Sequence, residues 1–375
     1  MIYFVGIATV GYFLAVFVGI LSLLLPRRKE REQFVPVSIV VCARNEAESL
    51  PETLAALASQ DYPRELIEYV LVDHCSSDDT RKVFDQFVAI DPTHRKAITI
   101  PENLGELRGK AAPWHAGMEA ATQEIVLTTG ADCIVPKTWI KKTVAKFKDG
   151  VQIVSGSEYL HYKRLPPSIL NHVQNLDMAF IQGIGYAVAR LGLGGSGLSN
   201  NLAIRRSAYF AVGGFPKLGF SICEDVLLSQ GVLRKYGNRA LVYHLDRESI
   251  PVTDPEPLHK LANMKMRWSM GTRRLGLGGL LMIAFNFLSH LGSVMGILFG
   301  GEEMRMVGWI GLIGGMLLES IFLLLVLSLE GILKREAIYL PFFLLYLWVY
   351  PNLLVIPVIF RLPVRWKGLW VREPV

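Results

Sequence analysis

The sequence predicts an α/β fold, a mostly parallel sheet flanked by helices, set between apolar segments at the two ends of the chain. Short runs of β-branched residues alternate with helical patterns from Val37 to Thr129, the rhythm of strands joined by helical crossovers. Two of these runs, ending at Asp73 and Asp132, close on a carboxylate at the position where strand ends of an open sheet form the ligand crevice. Apolar residues make up 51% of the 375, and the surplus is concentrated in Ile2 to Leu25 and beyond Arg274.

Ile2 to Leu25 is long and apolar enough to span a bilayer and is followed at once by Arg27, Arg28, Lys29 and Arg31. With no basic stretch before it and no small-residue cleavage pattern after it, the run reads as an anchor, with the following domain in the cytosol at the inner (plasma) membrane. Cys42, Cys75, Cys133 and Cys223 make no CxxC pair, which fits free thiols in a reducing compartment. The net charge of +6 arises from Lys and Arg beside apolar spans, which points to an anionic membrane surface and away from nucleic acid.

Taken in order, VSIVVCARNE (residues 37–46) is a buried strand ending in a polar loop, and a helix follows with Leu50, Leu54, Leu57 and Ala58 on one face. YVLVD (69–73) is the second strand, HCSSDDT the loop after it, and the next helix runs through Phe84, Phe87 and Val88. AITI (97–100), the glycine-punctuated ELRGK, a helix through Ala121 and the strand EIVLTT complete the alternation. The glycines form neither GxGxxG nor a Walker loop, so a dinucleotide or P-loop site has little support. Asp132 is a hard oxygen ligand suited to Mg²⁺ or Mn²⁺, or else an N-cap for a helix starting near Lys137.

The motifs VSIVVCARNE, VLVDHCSSDDT, RGKAAPWHAG, TTGADCIVP, NNLAIRRSAYFAVGGF, CEDVLL and MKMRW, in this order over residues 37–271, resemble those of the inverting, nucleotide-sugar-dependent glycosyltransferases of family two. That group includes ceramide and carotenoid glycosyltransferases and the cellulose and hyaluronan synthases. The resemblance implies a GT-A, Rossmann-like fold and a nucleotide-sugar donor, a UDP-sugar first. It places Ala43, Arg44, Glu46, Asp73, Lys110 and Ala131 against the nucleotide and gives Asp132 the divalent cation, Mg²⁺ or Mn²⁺. Asp225 becomes the general base with Glu224 beside it, and Arg267 and Trp268 close the site. Read from the residues alone, Glu46, Glu224 and Asp225 equally suit acids in a first helical turn, Lys110 a solvated lysine, and Arg267 a basic face with Lys260, Lys265, Arg273 and Arg274.

The chain departs from the family pattern at His74 after Asp73, at Gly130 where a first Asp is usual, in AAPWHAG after Lys110, and at Met264 where polymer-forming members carry Gln. His74 or Cys133 is a conceivable replacement ligand. The expected organisation is an anchor (1–26), a basic linker (27–36), a cytosolic catalytic domain (37–271, its nucleotide half 37–135 and acceptor half 136–271), a membrane region of two to three spans (272–361) and a basic tail (362–375). Ser168 to Leu193 suits either a bilayer-facing segment or an ordinary core helix, decided by the burial of Phe180, Ile181, Ile184 and Tyr186. Glu319, inside an apolar run, marks an acceptor path or a helix contact. The expected function is transfer of one sugar to a lipid hydroxyl; an impaired homologue acting in assembly, a polysaccharide synthase and a transporter are the alternatives.

Overall fold

A computed structural model describes residues 2–26, 30, 32–160, 168–255, 257–271, 276–349, 363–366 and 369–371. In chain order, helix α1 (Ile2–Leu24) precedes β1 (Val37–Ala43), α2 (Leu50–Ala58), β2 (Ile67–His74), α3 (Thr80–Ile90), β3 (Arg95–Ile100), α4 (Ala111–Ala120) and β4 (Ile125–Gly130). Then come α5 (Trp139–Val144), β5 (Ile153–Gly156), β6 (Tyr159–Leu160), α6 (Ile169–Arg190), β7 (Leu202–Arg205), α7 (Arg206–Ala211), α8 (Gly214–Leu218) and α9 (Glu224–Tyr236). The chain continues through β8 (Leu241–His244), β9 (Val252–Thr253), α10 (Leu258–Gly271), α11 (Gly276–Phe299) and α12 (Glu302–Glu330).

Two compact units emerge. One comprises residues 27–164 and 189–254, the other 1–26, 165–188 and 255–375. In the first, the sheet order is β3-β2-β1-β4-β7-β5-β8. Strands β1 to β4 are mutually parallel where they pair, and β7 lies antiparallel between β4 and β5. The fold is therefore the mostly parallel, helix-flanked sheet expected from the alternation. The apolar side chains that make these strands near-continuous hydrophobic runs are buried on both faces. Leu54, Leu57, Phe84 and Trp139 cover one face. Trp114, Met118, Tyr209 and Phe215 cover the other.

The second unit is helical. Among the described residues, α1 and α12 are the helices long and apolar enough to cross a membrane, and Ala284–Phe299 of α11 is a shorter apolar stretch. Glycines let these helices approach closely. A Cβ on Gly292 would fall 2.9 Å from Val5 Cγ1, and one on Gly311 2.0 Å from Ser293 Oγ. Helix α6 up to Val188 belongs to this unit. Its Phe180 packs edge-to-face on Phe322 of α12, with ring centroids 5.4 Å apart, and Tyr186 is buried. Ile181 is exposed and Ile184 half-buried. Thus α6 is a core element of the helical unit.

The polar residues of the apolar runs turn inward. Glu319 Oε1 accepts from the Tyr12 hydroxyl at 2.5 Å and lies 2.7 Å from His290 Nε2, while Oε2 accepts from Trp348 Nε1 at 3.0 Å. Four helical segments, α1, α11, α12 and residues 340–349, meet on one fully buried carboxyl. Of the two readings of Glu319, the structure shows a helix contact, with its donors supplied by neighbouring helices. Lys265 differs from the expected snorkelling basic face: it is buried and ion-paired with Asp177 of α6. The basic residues Arg27, Arg28, Lys29, Arg31, Arg273, Arg274, Arg361, Lys367 and Arg372, and the end of the last apolar run, lie outside the described residues.

Glu319→Ala would leave three buried donors without an acceptor, and it is expected to lower stability by roughly 3–5 kcal/mol. Tyr12→Phe removes one donor, with an expected loss of about 1 kcal/mol. Thermal unfolding in detergent checks both, and a Glu319→Ala variant as stable as wild type would contradict the clasp.

Candidate active site

The crevice at the carboxyl ends of β1, β2 and β4 is built from short polar loops tied to one another. Ala43 ends β1 opposite Asp73, the penultimate residue of β2. The loop after β1 turns through Asn45, whose φ of 58° is a left-handed conformation that Asn tolerates by bonding locally. Its Oδ1 accepts from Ser77 N at 2.8 Å, and its own N–H donates to Ser76 Oγ at 3.0 Å. Glu46 N–H donates to Thr80 Oγ1 at 2.8 Å, and the Glu46 carboxylate accepts from Ser49 Oγ at 2.7 Å. Glu46 lies four residues before α2, outside its first turn. Asp73 is buried and accepts from Ser76 N and Thr99 Oγ1, each at 3.3 Å. Arg44 reaches Glu102 at 3.2 Å in a pair open to solvent, which contributes little to stability.

Asp132 follows β4 by two residues. Helix α5 begins at Trp139 with Thr138 at its cap position, so Asp132 is not the cap of that helix. Its carboxylate is exposed, with Cys133 Sγ 3.6 Å and Thr253 Oγ1 3.5 Å away, both long contacts that leave it open to a ligand. Cys133 itself is buried, and burial followed by the Asp132 charge pushes its thiol well above the usual range, so it stands as a neutral thiol. His74 is turned away: its Nε2 lies 2.9 Å from the Glu102 carbonyl oxygen. Neither replaces the acid missing at position 130.

The remaining residues converge on the 3₁₀ turn Ser199–Asn201 that precedes β7. Because β7 runs antiparallel to β4, pairing Leu202 with Thr128, the turn before it lies beside the carboxyl end of β4. Thr129 Oγ1 donates to the Asn200 carbonyl at 3.0 Å. Lys110, just before α4, is half-buried and donates from Nζ to Ser199 Oγ at 2.9 Å, so it is held in the crevice. Asp225, in the first turn of α9, accepts from Ser199 N at 3.1 Å through Oδ2 and from Val226 N at 2.9 Å through Oδ1. Glu224 beside it is buried. Asn201 is wholly structural, donating to the Ser157 and Ser249 carbonyls at 2.8 and 2.9 Å and accepting from Trp139 Nε1 at 2.9 Å.

Two residues of this cluster have no assigned role in the sequence, Asn200, which opens the motif NNLAIRRSAYFAVGGF, and Glu158. Glu158, two residues past β5, is buried and accepts from Asn200 Nδ2 at 2.7 Å. Burial raises its carboxyl to about 7; the Asn200 bond opposes that, the Asp132 charge adds to it, the Lys110 charge opposes it and the Asp225 charge adds to it. Lys110, Asp132, Glu158 and Asp225 therefore form one electrostatic neighbourhood. A second acid after a strand end was the available clue, since SGSEYL repeats the pattern of TTGAD.

Among the described residues, no three His, Cys, Asp or Glu side chains gather closely enough to hold a metal ion by themselves. A lone exposed carboxylate fits Mg²⁺ or Mn²⁺ of the kind that takes one or two protein oxygens and completes its shell with water and substrate phosphates. Arg267 and Trp268 sit on α10 in the helical unit, where the Lys265 ammonium lies 4.2 Å from the Trp268 ring centroid.

Residues 38–187 match the family model Glycosyl transferase family 2. The chain is 30% identical over 128 residues, 34% of its own length and 40% of the relative's, to the glycosyltransferase AglE of Haloferax volcanii. It is 26% identical over 261 residues, 66% of the chain, to the poly-beta-1,6-N-acetyl-D-glucosamine synthase of Staphylococcus epidermidis, covering 57% of that protein. It is 32% identical over 124 residues, 33% of the chain, to the undecaprenyl-phosphate 4-deoxy-4-formamido-L-arabinose transferase of Proteus mirabilis, covering 37% of it. The chain thus spans less than two thirds of the length of each of these relatives. In fold it is similar to a mannosyltransferase of Pyrobaculum calidifontis solved with GDP-Man and Mn²⁺, with TM-score 0.61, 17% identity and coverage of 96% of this chain and 99% of that one.

Glu158 gives a pH signature. Its folded pKa, about 7, lies above the ordinary value of 4.5, so its contribution to stability is fully present below about 4.5 and is lost as pH rises through 7. Glu158→Gln carries no ionisable group there. Its melting temperature relative to wild type is expected to rise between pH 4.5 and 7, and a constant difference across that range would contradict the buried carboxyl.

Proposed function

We propose that the protein, whose residues 38–187 match the Glycosyl transferase family 2 model and whose fold is GT-A-like, transfers one sugar, a hexose, from a nucleotide-sugar donor to the hydroxyl of a membrane lipid, with inversion at the anomeric carbon. The observation that supports this best is the meeting of Asp132, Lys110 and Asp225 around Ser199–Asn200. Each supplies a different requirement of the chemistry.

The acceptor oxygen attacks the anomeric carbon as the bond to the diphosphate breaks, and the acceptor proton must leave. Asp225 is the group to take it. Each of its oxygens is oriented by one backbone N–H and retains a lone pair for a hydroxyl that becomes acidic only as the new bond forms. Lys110 offers the departing diphosphate a positive charge. Asp132 is the residue that would hold Mg²⁺ or Mn²⁺, which when bound supplies further positive charge to the leaving group. Glu46 and Asp73, fixed by the tied loops after β1 and β2, are hydrogen-bond acceptors for base or ribose, with Ala43, Arg44 and Ala131 lining the same stretch.

A lipid acceptor is supported by the two helices suited to a bilayer and by the similarity to an undecaprenyl-phosphate transferase. The second reading, polymer synthesis, is favoured by the similarity to the poly-beta-1,6-N-acetyl-D-glucosamine synthase. Against it stands Met264 in the place of the Gln of polymer-forming members. Purified protein in nanodiscs, given labelled UDP- and GDP-sugars and a lipid extract, is expected to put label into an organic-soluble product carrying one hexose. Label in a water-soluble, size-heterogeneous polymer would establish the second reading instead.

Two substitutions separate the roles. Asp132→Asn is expected to reduce turnover at least about a hundredfold while the fold persists, because an amide is a far weaker ligand for a hard cation and leaving-group stabilisation is lost. Asp225→Asn is expected to lose transfer by a similar factor yet bind donor as wild type does, since base and donor sites differ. Loss of donor affinity in Asp225→Asn, measured by calorimetry, would assign that residue to structure.

A further inference from the structure

Position 130 is where the family pattern sets an acid and this chain has glycine. The space is not vacant. A Cβ placed on Gly130 would stand 2.6 Å from Asp132 Oδ1, 2.8 Å from Cys133 Sγ and 3.1 Å from Asn200 Oδ1. Two oxygens, one from the loop after β4 and one from the turn before β7, therefore border the point from which the missing side chain would have grown. Asn200 is half-buried and comes from the turn before β7. Its backbone is fixed by Thr129 Oγ1, and its amide is fixed by donation of Nδ2 to Glu158 Oε2 at 2.7 Å. With the NH₂ group turned to the Glu158 carboxyl, the carbonyl end of the amide is the one left toward Asp132. An amide oxygen is a proper ligand for Mg²⁺ or Mn²⁺, weaker than a carboxylate but of the same hard class.

We infer that Asn200 Oδ1 is the second protein oxygen of the cation site, replacing from the neighbouring strand the acid that Gly130 lacks, and that Glu158 is the positioning residue that aims it. Glycine at 130 is then the complement of Asn200, because a side chain there would occupy the approach of both oxygens. The inference rests on the assignment of Asp132 as the cation's carboxylate.

Calorimetric titration of Mn²⁺ into the full-length protein in detergent, with GDP or UDP saturating, tests it without any need for turnover. Asn200→Ala is expected to weaken Mn²⁺ about tenfold or more, the scale on which loss of a supporting ligand acts. Asn200→Asp, which keeps an oxygen in place, is expected to bind at least as tightly as wild type. Glu158→Ala should weaken Mn²⁺ in the same direction as Asn200→Ala, while Glu158→Gln, which still offers an acceptor, should hold affinity closer to wild type. The inference is overturned if Asn200→Ala binds Mn²⁺ within about twofold of wild type while Asp132→Asn does not bind it. It is also overturned if Asn200→Asp loses affinity, a result independent of whether the alanine variant folds. Wild-type affinity in Asp132→Asn would instead overturn the underlying assignment of Asp132.

Discussion

The site depends on one strand running the wrong way. β7 enters the sheet antiparallel between β4 and β5, so the turn that precedes it arrives at the end of the sheet where β4 finishes. Had β7 been parallel, Ser199 and Asn200 would lie at the opposite end from Asp132. The turn is pinned from below by Asn201, whose side chain is buried and fully bonded, and from the side by Thr129. On that rigid base, Ser199 and Asn200 link groups from four other segments: the start of α4, β4, the stretch after β5 and α9. Precision of this kind comes from scaffold elements whose own hydrogen bonds are already satisfied.

The electrostatic design follows from that convergence. Asp132, Glu158 and Asp225 bring acid to a space that holds Lys110 as its cation, and the buried member, Glu158, is the one whose proton is retained up to about 7. An arrangement with surplus negative charge costs stability, and a bound cation would offset that cost. The same excess would be worse with a further carboxylate at position 130. Glycine there, with a neutral amide opposite, gives a cation two oxygens with one unit less of repulsion.

Much of this was readable in the sequence. The strands announce themselves through β-branched runs, and Asp73 and Asp132 through their position at strand ends, whereas Lys110 and Asp225 stand out only through the resemblance of the ordered motifs. The helices expected at Leu50 to Ala58 and through Phe84, Phe87 and Val88 are observed as α2 and α3, and the one expected to run through Ala121 is α4, which ends at Ala120. Strand direction was not readable, because four residues, LAIR, carry no mark of parallel or antiparallel pairing. For that reason Asn200 stayed hidden in the doublet that it forms with Asn201, and Glu158 in a stretch too short to reveal its strand. In the helical unit, Glu319 is visible as an anomaly in an apolar run, yet its pairing with Tyr12 joins positions 307 residues apart and no local pattern encodes it. Lys265 misled for a physical reason: composition places a lysine at a basic face, and only the tertiary partner Asp177 makes burial tolerable.

The helical unit carries its own constraint, a carboxyl buried among apolar helices with both oxygens engaged. The central claim is that the donor's diphosphate lies at the carboxyl end of β4, beside Asp132 and Lys110. The most direct measurement is the anomalous scattering of Mn²⁺ in crystals grown with GDP or UDP. The expected result is a manganese peak at inner-sphere distance from the Asp132 carboxylate, with nucleotide density running past Lys110 toward Asp73 and Glu46. A nucleotide seated elsewhere, or a manganese peak remote from Asp132, would contradict it.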